Sequence, residues 1–122
     1  MTAMKRLILE MGMGADLYGE DYTKAACRAI DDAIRHSSLT LFRSLDLDHS
    51  LMQVNVTVGV QNPDAVDTEQ VAAKLPRGNA HVTAVHGGQN ITDNDNGTVS
   101  VIASVAIEAT YPEAMLQKIA NP

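Results

Sequence analysis

The sequence predicts an α/β (α+β) domain of element order βαβαββ, with a four-stranded mixed sheet that carries two helices on one face. Apolar residues alternate strictly along Met52–Val60, which is typical of a strand with one buried face. From Tyr22 to Ser37 they recur at helical spacing, which is typical of an amphipathic helix packed on a sheet. Right-handed crossovers then place both helices on the same face.

The remaining elements follow from the same patterns. The predicted strands are 4–12, 52–60, 81–86 and 98–110, and the predicted helices are 22–37 and 67–75. Asp21 and Asp67 are the expected N-caps of the two helices. Apolar residues on both sides of the first strand predict a position inside the sheet. A short helix is expected in Ser38–Leu47, a hairpin turn at 93–97, and a short helical tail within 112–122.

Length and composition indicate a single domain, 1–122, that associates with copies of itself. The chain is 45% apolar but only 3% aromatic, so its core is thin, and thin cores are often completed by a neighbouring subunit. The sheet face without helices is predicted to be uncharged, which also favours a homo-oligomer. Its predicted polar residues are Gln53, Asn55, Thr57, Ser100 and Ser104.

Charge and cysteine content argue against several classes of protein. The net charge is -6 and there is no basic cluster, so no nucleic-acid partner is expected. No apolar stretch is long enough for a signal peptide or a membrane span. Cys27 is the only cysteine, which excludes an internal disulfide and a cysteine-based metal site and predicts a cytoplasmic location.

Glu10–Asp21 is the predicted site, because the pattern predicts a strand that runs through a glycine loop into a helix N-terminus. Asp16 is the candidate base or substrate anchor and Tyr18 the candidate proton donor. Glu10 is a third candidate catalytic carboxylate. The predicted ligand-binding residues are Gly12, Gly14, Gly19, Lys24, Arg28 and His86, with Arg77 as a further cation. In this hypothesis the glycine amides bind an anionic oxygen and the cations orient a carboxylate or carbonyl.

Three functions fit these residues. The first is a small-molecule enzyme with its site near a subunit boundary, and the second is a non-catalytic metabolite-binding or regulatory subunit. The third is a metal protein that uses Asp16, Glu10 and a histidine, although the four histidines show no paired ligand spacing. We expect no metal and no cofactor. A dinucleotide in particular is not expected, since Leu17 stands where a dinucleotide-binding loop requires its third glycine. A plain strand-to-helix connection explains the same glycines without a ligand.

The glycine segment also resembles a known family. The Lin0512 family carries a Gly-x-Gly-x-Asp-x-His-Gly signature, and the resemblance runs along most of residues 4 to 111. The matching residues are Gly12-Met13-Gly14-Ala15-Asp16-Leu17-Tyr18-Gly19, then Asp21, Thr23-Lys24-Ala25-Ala26 and Arg28-Ala29. Tyr18 replaces the histidine of the signature, which removes an imidazole but keeps a hydrogen-bonding group.

Two wider resemblances bear on fold and activity. The element order is similar to the chorismate mutase-like fold of small trimeric enzymes, which implies a trimer, or a multiple of it, with sites between subunits. It also resembles one repeat of the ring-opening amidohydrolases, which implies a hydrolase acting on a cyclic amide. No serine of this chain lies in a recognisable nucleophile motif, and resemblance of fold alone does not establish a function.

Overall fold

The computed structural model describes residues 3–35, 48–75 and 78–120, which form a five-stranded sheet with helices. The strands are β1 (Met4–Asp16), β2 (Gln53–Val60), β3 (Asn79–His86), β4 (Gln89–Asp93) and β5 (Thr98–Pro112). The helices are α1 (Tyr22–Arg35), α2 (Thr68–Ala72) and α3 (Glu113–Ala120), with short 3-10 turns at His49–Leu51 and Pro63–Ala65.

β5 is the central strand of the sheet. It pairs antiparallel with β1 on one side, and on the other side it pairs antiparallel with β2 and, farther along, with β4. β3 lies beyond β2 and runs parallel to it. The chain passes between these two parallel strands through α2, as a parallel pair requires a crossover connection.

The predicted α/β class is confirmed, with differences in the sheet. β4 adds a fifth strand, which forms the predicted hairpin with β5 around Gly97 (φ +70°). The predicted interior position of β1 is wrong, since β1 is an edge strand. Its second apolar row is exposed rather than covered: Leu9 and Met11 are 48% and 71% exposed.

The helices α1 and α2 begin directly after the predicted N-cap residues, Asp21 and Asp67. The Asp21 carboxylate accepts the N–H of Lys24 at 3.0 Å, at the start of α1. Asp67 accepts the N–H groups of Glu69 and Gln70 at the start of α2. The end of the first predicted helix beyond Arg35 and the predicted helix in Ser38–Leu47 lie outside the described residues.

The core is built from alanine and valine between α1 and the sheet. The inward face of α1 carries Ala25, Ala26, Ala29, Ile30 and Ala33, all fully buried. Alternate valines of β2 and β5 face them, including Val54, Val56, Val58, Val101 and Val105. Because alanine methyls are short, α1 approaches the sheet closely, and this close approach determines how β1 is built.

The opposite face of the sheet has no helix among the described residues. Asn55, Thr57 and Ser104 are exposed on it, as predicted. The same face also presents Leu9, Met11 and Met13 from β1. This face of the sheet is therefore uncharged over much of its area, and it carries exposed apolar residues beside the predicted polar ones. We call this surface the open face.

Candidate functional site

Asp16 is the last residue of β1 and is only 6% exposed. Its Oδ2 accepts the backbone N–H of Asp21 at 2.9 Å, so the carboxylate bridges the two ends of the connection to α1. A Cβ on Gly19 would lie 2.9 Å from the same oxygen, which is why a residue without a side chain stands there. Glu20 adopts a positive φ of 50° in this turn. Asp16 therefore holds together the turn that connects β1 to α1.

Two cations of α1 flank this carboxylate. Lys24 Nζ and Arg28 Nη1 lie 4.0 and 3.7 Å from Asp16 Oδ1. They share a helix face because they are four residues apart. Arg28 Nη1 also donates to the carbonyl of Ala15 at 2.7 Å. Both side chains remain about half exposed, at 53% and 49%, so part of each cation faces solvent.

These groups surround a cavity of about 460 Å³. Its lining residues are Asp16, Leu17, Tyr18, Gly19, Asp21, Lys24 and Arg28. Tyr18 stands at the rim and is 76% exposed. The structure thus brings together Asp16, Tyr18, Gly19, Lys24 and Arg28, which are five of the candidate site residues. We call this cavity the Asp16 pocket.

Three other predicted residues are separate from the Asp16 pocket. Glu10 is half-buried in β1, six residues before Asp16, or about 20 Å along an extended strand. His86 ends β3 and lines a different cavity on the open face. Gly12 lines that second cavity as well. Arg77 lies outside the described residues.

The placement of Gly12 and Gly14 in a loop is wrong, because both lie within β1. A Cβ at either position would lie within 2.6 Å of the α1 backbone, so these glycines permit close helix packing. The Met13 N–H donates to Asp32 Oδ2 at 3.0 Å, away from β5. Neighbouring N–H groups alternate in direction along a strand. The amides of Gly12 and Gly14 therefore point toward β5 and form no open nest.

The second cavity was missed by sequence reasoning. It has a volume of about 630 Å³ and lies mainly on the open face. Its walls include Met11, Met13 and Val85, and its floor includes small residues of β2 and β5. The sequence signal for this cavity is the set of small residues at alternate positions of β2 and β5. These residues indicate a cavity only once the register of the two strands is known.

Cys27 is half-buried on α1 and outside both cavities. Burial raises the pKa of its thiol above the usual value, and the nearby Lys74 opposes this only in part. A raised pKa leaves less of the nucleophilic thiolate at neutral pH. We expect iodoacetamide to modify Cys27 several times more slowly than free cysteine at pH 7. Mass spectrometry on the native protein measures this rate. A rate for Cys27 equal to that of free cysteine contradicts the expectation.

Neither a metal cluster nor a membrane helix is found in the described ranges. Within residues 3–35, 48–75 and 78–120, no group of three or more histidine, cysteine, aspartate and glutamate side chains is arranged to hold a metal ion. Over the same ranges, no helix has the length and apolar character needed to span a bilayer.

Comparison with known proteins agrees with the resemblance seen in the glycine segment. A search of curated proteins finds no match. A crystal structure of an FtsZ-like protein of unknown function from Nostoc punctiforme superposes with a TM-score of 0.80 at 36% identity. The match covers 92% of this chain and 99% of that chain. The profile of the Lin0512 family, described as a conserved hypothetical protein, matches residues 6–109. With nearly its whole sheet and α1 inside that match, the chain belongs to the Lin0512 family.

Proposed function

We propose that this chain binds a small metabolite bearing a carboxylate or a cyclic amide in the Asp16 pocket. The observation that carries the proposal is the buried Asp16 carboxylate, which holds Lys24 and Arg28 beside a cavity of about 460 Å³. A volume of this size suits a small ligand. Sites of this kind place a few fixed polar groups where they orient the ligand.

The two cations retain hydrogen-bond donors that Asp16 does not use. An ammonium group has three donors and a guanidinium has five, whereas Asp16 Oδ1 contacts a single nitrogen of each, at 4.0 Å for Lys24 and 3.7 Å for Arg28. The guanidinium also presents a planar pair of N–H groups that matches a carboxylate. Arg28 therefore suits the anionic end of a ligand, and Lys24 suits a second oxygen.

Asp16 itself is better suited to positioning than to proton abstraction. Its Oδ2 is occupied by the Asp21 amide and its Oδ1 by two cations. Neither oxygen is therefore free to take a proton from a substrate without breaking one of these contacts. In this proposal Asp16 fixes the geometry of Lys24, Arg28 and the turn that carries Tyr18.

Catalysis in the same pocket is the second candidate function, favoured by the position of Tyr18. Its phenol stands at the rim of the cavity, exposed and beside the two cations. A phenol in this position is able to donate a hydrogen bond or a proton to a leaving group. If the site is catalytic, Tyr18→Phe abolishes turnover but leaves ligand affinity nearly unchanged. Product analysis on every ligand found separates the enzyme from the binder.

The first test is a thermal-shift screen with small mono- and dicarboxylates and cyclic imides, followed by calorimetry on the hits. We expect the double variant Lys24→Ala/Arg28→Ala to weaken the best ligand at least tenfold, because charged hydrogen bonds contribute about 1.5–3 kcal/mol each. Lys74→Ala is the matched control, since Lys74 forms an ion pair with Asp31 outside the pocket. Equal losses in both variants, or no loss in either, contradict the site.

The proposal also includes self-association in the cytoplasm. The thin core and the uncovered open face favour a homo-oligomer. A single half-buried cysteine fits a reducing compartment. Light scattering on purified protein that returns a single chain at micromolar concentration contradicts the oligomer, and it leaves ligand binding to be decided by the experiment above.

A further inference from the structure

The strand register aligns residues of the open face in rows across the sheet. Partners in β1, β5, β2 and β3 share a row because their Cα atoms are paired. The first row is Met13, Ser104, Gly59 and Val85, and the second is Met11, Ala106, Thr57 and Thr83. Each row begins at β1 with a methionine and continues with small residues on the next two strands.

The two rows form a ridge beside a trough. Met11 and Met13 project from β1 and are 71% and 62% exposed. Next to them, the small side chains of β5 and β2 form the floor of the cavity of about 630 Å³. At Gly59 the floor lacks a side chain altogether, and a Cβ there would lie 2.7 Å from Ser104 Oγ. The ridge and the trough are one strand apart on the same surface.

Neither row contains a charged residue, although the chain has a net charge of -6. A carboxylate that lines the cavity, Asp32 of α1, lies outside the rows and accepts the Met13 N–H at the outer edge of β1. The next row along the strands, which begins at Leu9, introduces Glu108 and its ion pair with Arg6. Two copies of an acidic chain repel each other over most of their surfaces. An uncharged patch is where contact between two copies meets the least repulsion.

We propose that a second copy of this chain covers the open face, with the Met11–Met13 ridge of each copy seated in the trough of the other. A two-fold axis that runs along the strands, above the space between β1 and β5, exchanges ridge and trough in this way. Such an isologous contact requires a surface that is complementary to itself. Methionine suits the contact because its unbranched side chain adapts to an irregular floor.

A small ligand accounts for the same surface less well. The two methionines rise from the rim and remain mostly exposed, and a ligand lying in the trough leaves their outer surfaces in water. A continuous exposed apolar patch marks an interaction site, whereas single exposed apolar residues need no such explanation. A second sheet packed about 10 Å above the first buries both the ridge and the floor.

This inference specifies the partner for the self-association proposed above and rests on it. Ligand binding in the Asp16 pocket is measured separately, so the two can fail independently. Because the contact is a pair, the particle has an even number of chains, and light scattering is expected to give two chains or a multiple of two. A particle of three chains, the number that the chorismate mutase-like resemblance implies, overturns the two-fold contact, whereas six chains agree with both.

Single-cysteine cross-linking tests the geometry. In a Cys27→Ala background, Ala106→Cys places two thiols about 10 Å apart across the axis, from the spacing of packed sheets. Thr83→Cys lies in the same row, but its two copies are about 24 Å apart sideways, because they are separated by five strand spacings of about 4.8 Å. A short bismaleimide is expected to join the Ala106→Cys copies and not the Thr83→Cys copies. Equal cross-linking at both positions overturns the proposal.

Removal of the ridge tests its contribution. We expect Met11→Lys/Met13→Lys to raise the Kd of the pair by about 100-fold or more, because central apolar residues dominate such contacts. The far-UV circular dichroism spectrum and any ligand-induced thermal shift at the Asp16 pocket are expected to persist. Gln70→Lys/Gln117→Lys, which adds the same two charges at exposed helix positions away from the open face, is the matched control. A wild-type monomer that instead takes up a flat aromatic dye in the trough assigns the surface to a small ligand and overturns the proposal.

Discussion

Gly14→Ala is expected to lower the free energy of unfolding by about 3 kcal/mol or more, the upper range for overpacking a close-packed contact. An added Cβ lies 2.3 Å from Ala29 N and 2.5 Å from the carbonyl oxygen of Ala25. Both atoms are helix backbone, so no side-chain rotation relieves the clash. Either α1 moves away from β1 or the edge of the sheet deforms.

Chemical denaturation of wild type and variant measures this change. For a chain of this length the midpoint of thermal unfolding is expected to fall by about 10 °C or more. Gly97→Asn is the matched control, because a Cβ at Gly97 has nothing within 4 Å and Asn tolerates its positive φ of 70°. If Gly14→Ala is as stable as Gly97→Asn, close helix packing is not the reason for glycine in β1.

Asp16→Ala is expected to lower the free energy of unfolding by about 2–3 kcal/mol and to abolish ligand binding in the Asp16 pocket. The change removes a charge-assisted hydrogen bond to the Asp21 amide, which costs about 1.5–3 kcal/mol. It also leaves Lys24 and Arg28 near each other without the carboxylate between them. The turn at residues 17–21 loses its main restraint at the same time.

Asp16→Asn separates the two roles of this side chain. Asn keeps an oxygen that accepts the Asp21 N–H, so most of the stability is expected to remain, whereas the ion pairs and the ligand affinity are lost. Asp64→Ala, at an exposed position, is the control and is expected to change neither. Full ligand affinity in Asp16→Asn, measured by calorimetry, contradicts the role assigned to the carboxylate.

The sequence predicted the elements whose patterns are local. The alternating valines of β2 identify a strand on their own, and Asp21 and Asp67 identify helix starts because capping needs only the next few residues. The grouping of Asp16 with Lys24 and Arg28 was also predictable. Two cations four residues apart share one face of a helix, and the short connection from Asp16 to α1 keeps the first turns of that helix near the end of β1.

The errors arose where one residue type serves two purposes. Gly12 and Gly14 were assigned to a loop because glycine permits turns, but glycine also permits close approach of backbones, and sequence alone does not distinguish the two. β1 was placed inside the sheet because both of its sides carry apolar residues. One side packs on α1, and the other, with Met11, is exposed in the described chain.

Positions that depend on long-range register were not predictable. Glu10 and His86 were grouped with Asp16 because each stands near the end of an apolar run. The actual separation follows from the extension of β1 to Asp16 and from the place of β3 at the far edge of the sheet. The ridge and the trough likewise emerge only when residues of four strands are aligned.

The central position of β5 has a consequence for how this chain acquires its structure during synthesis. β1, β2 and β4 all hydrogen-bond to β5, and the pairs between β1 and β5 join residues as distant as Met4 and Pro112. While the ribosome is still making β5, the earlier strands have emerged without the neighbour that organises them. Assembly of the sheet therefore waits until β5 has been made, and its high contact order predicts slower folding than that of a helical protein of the same size.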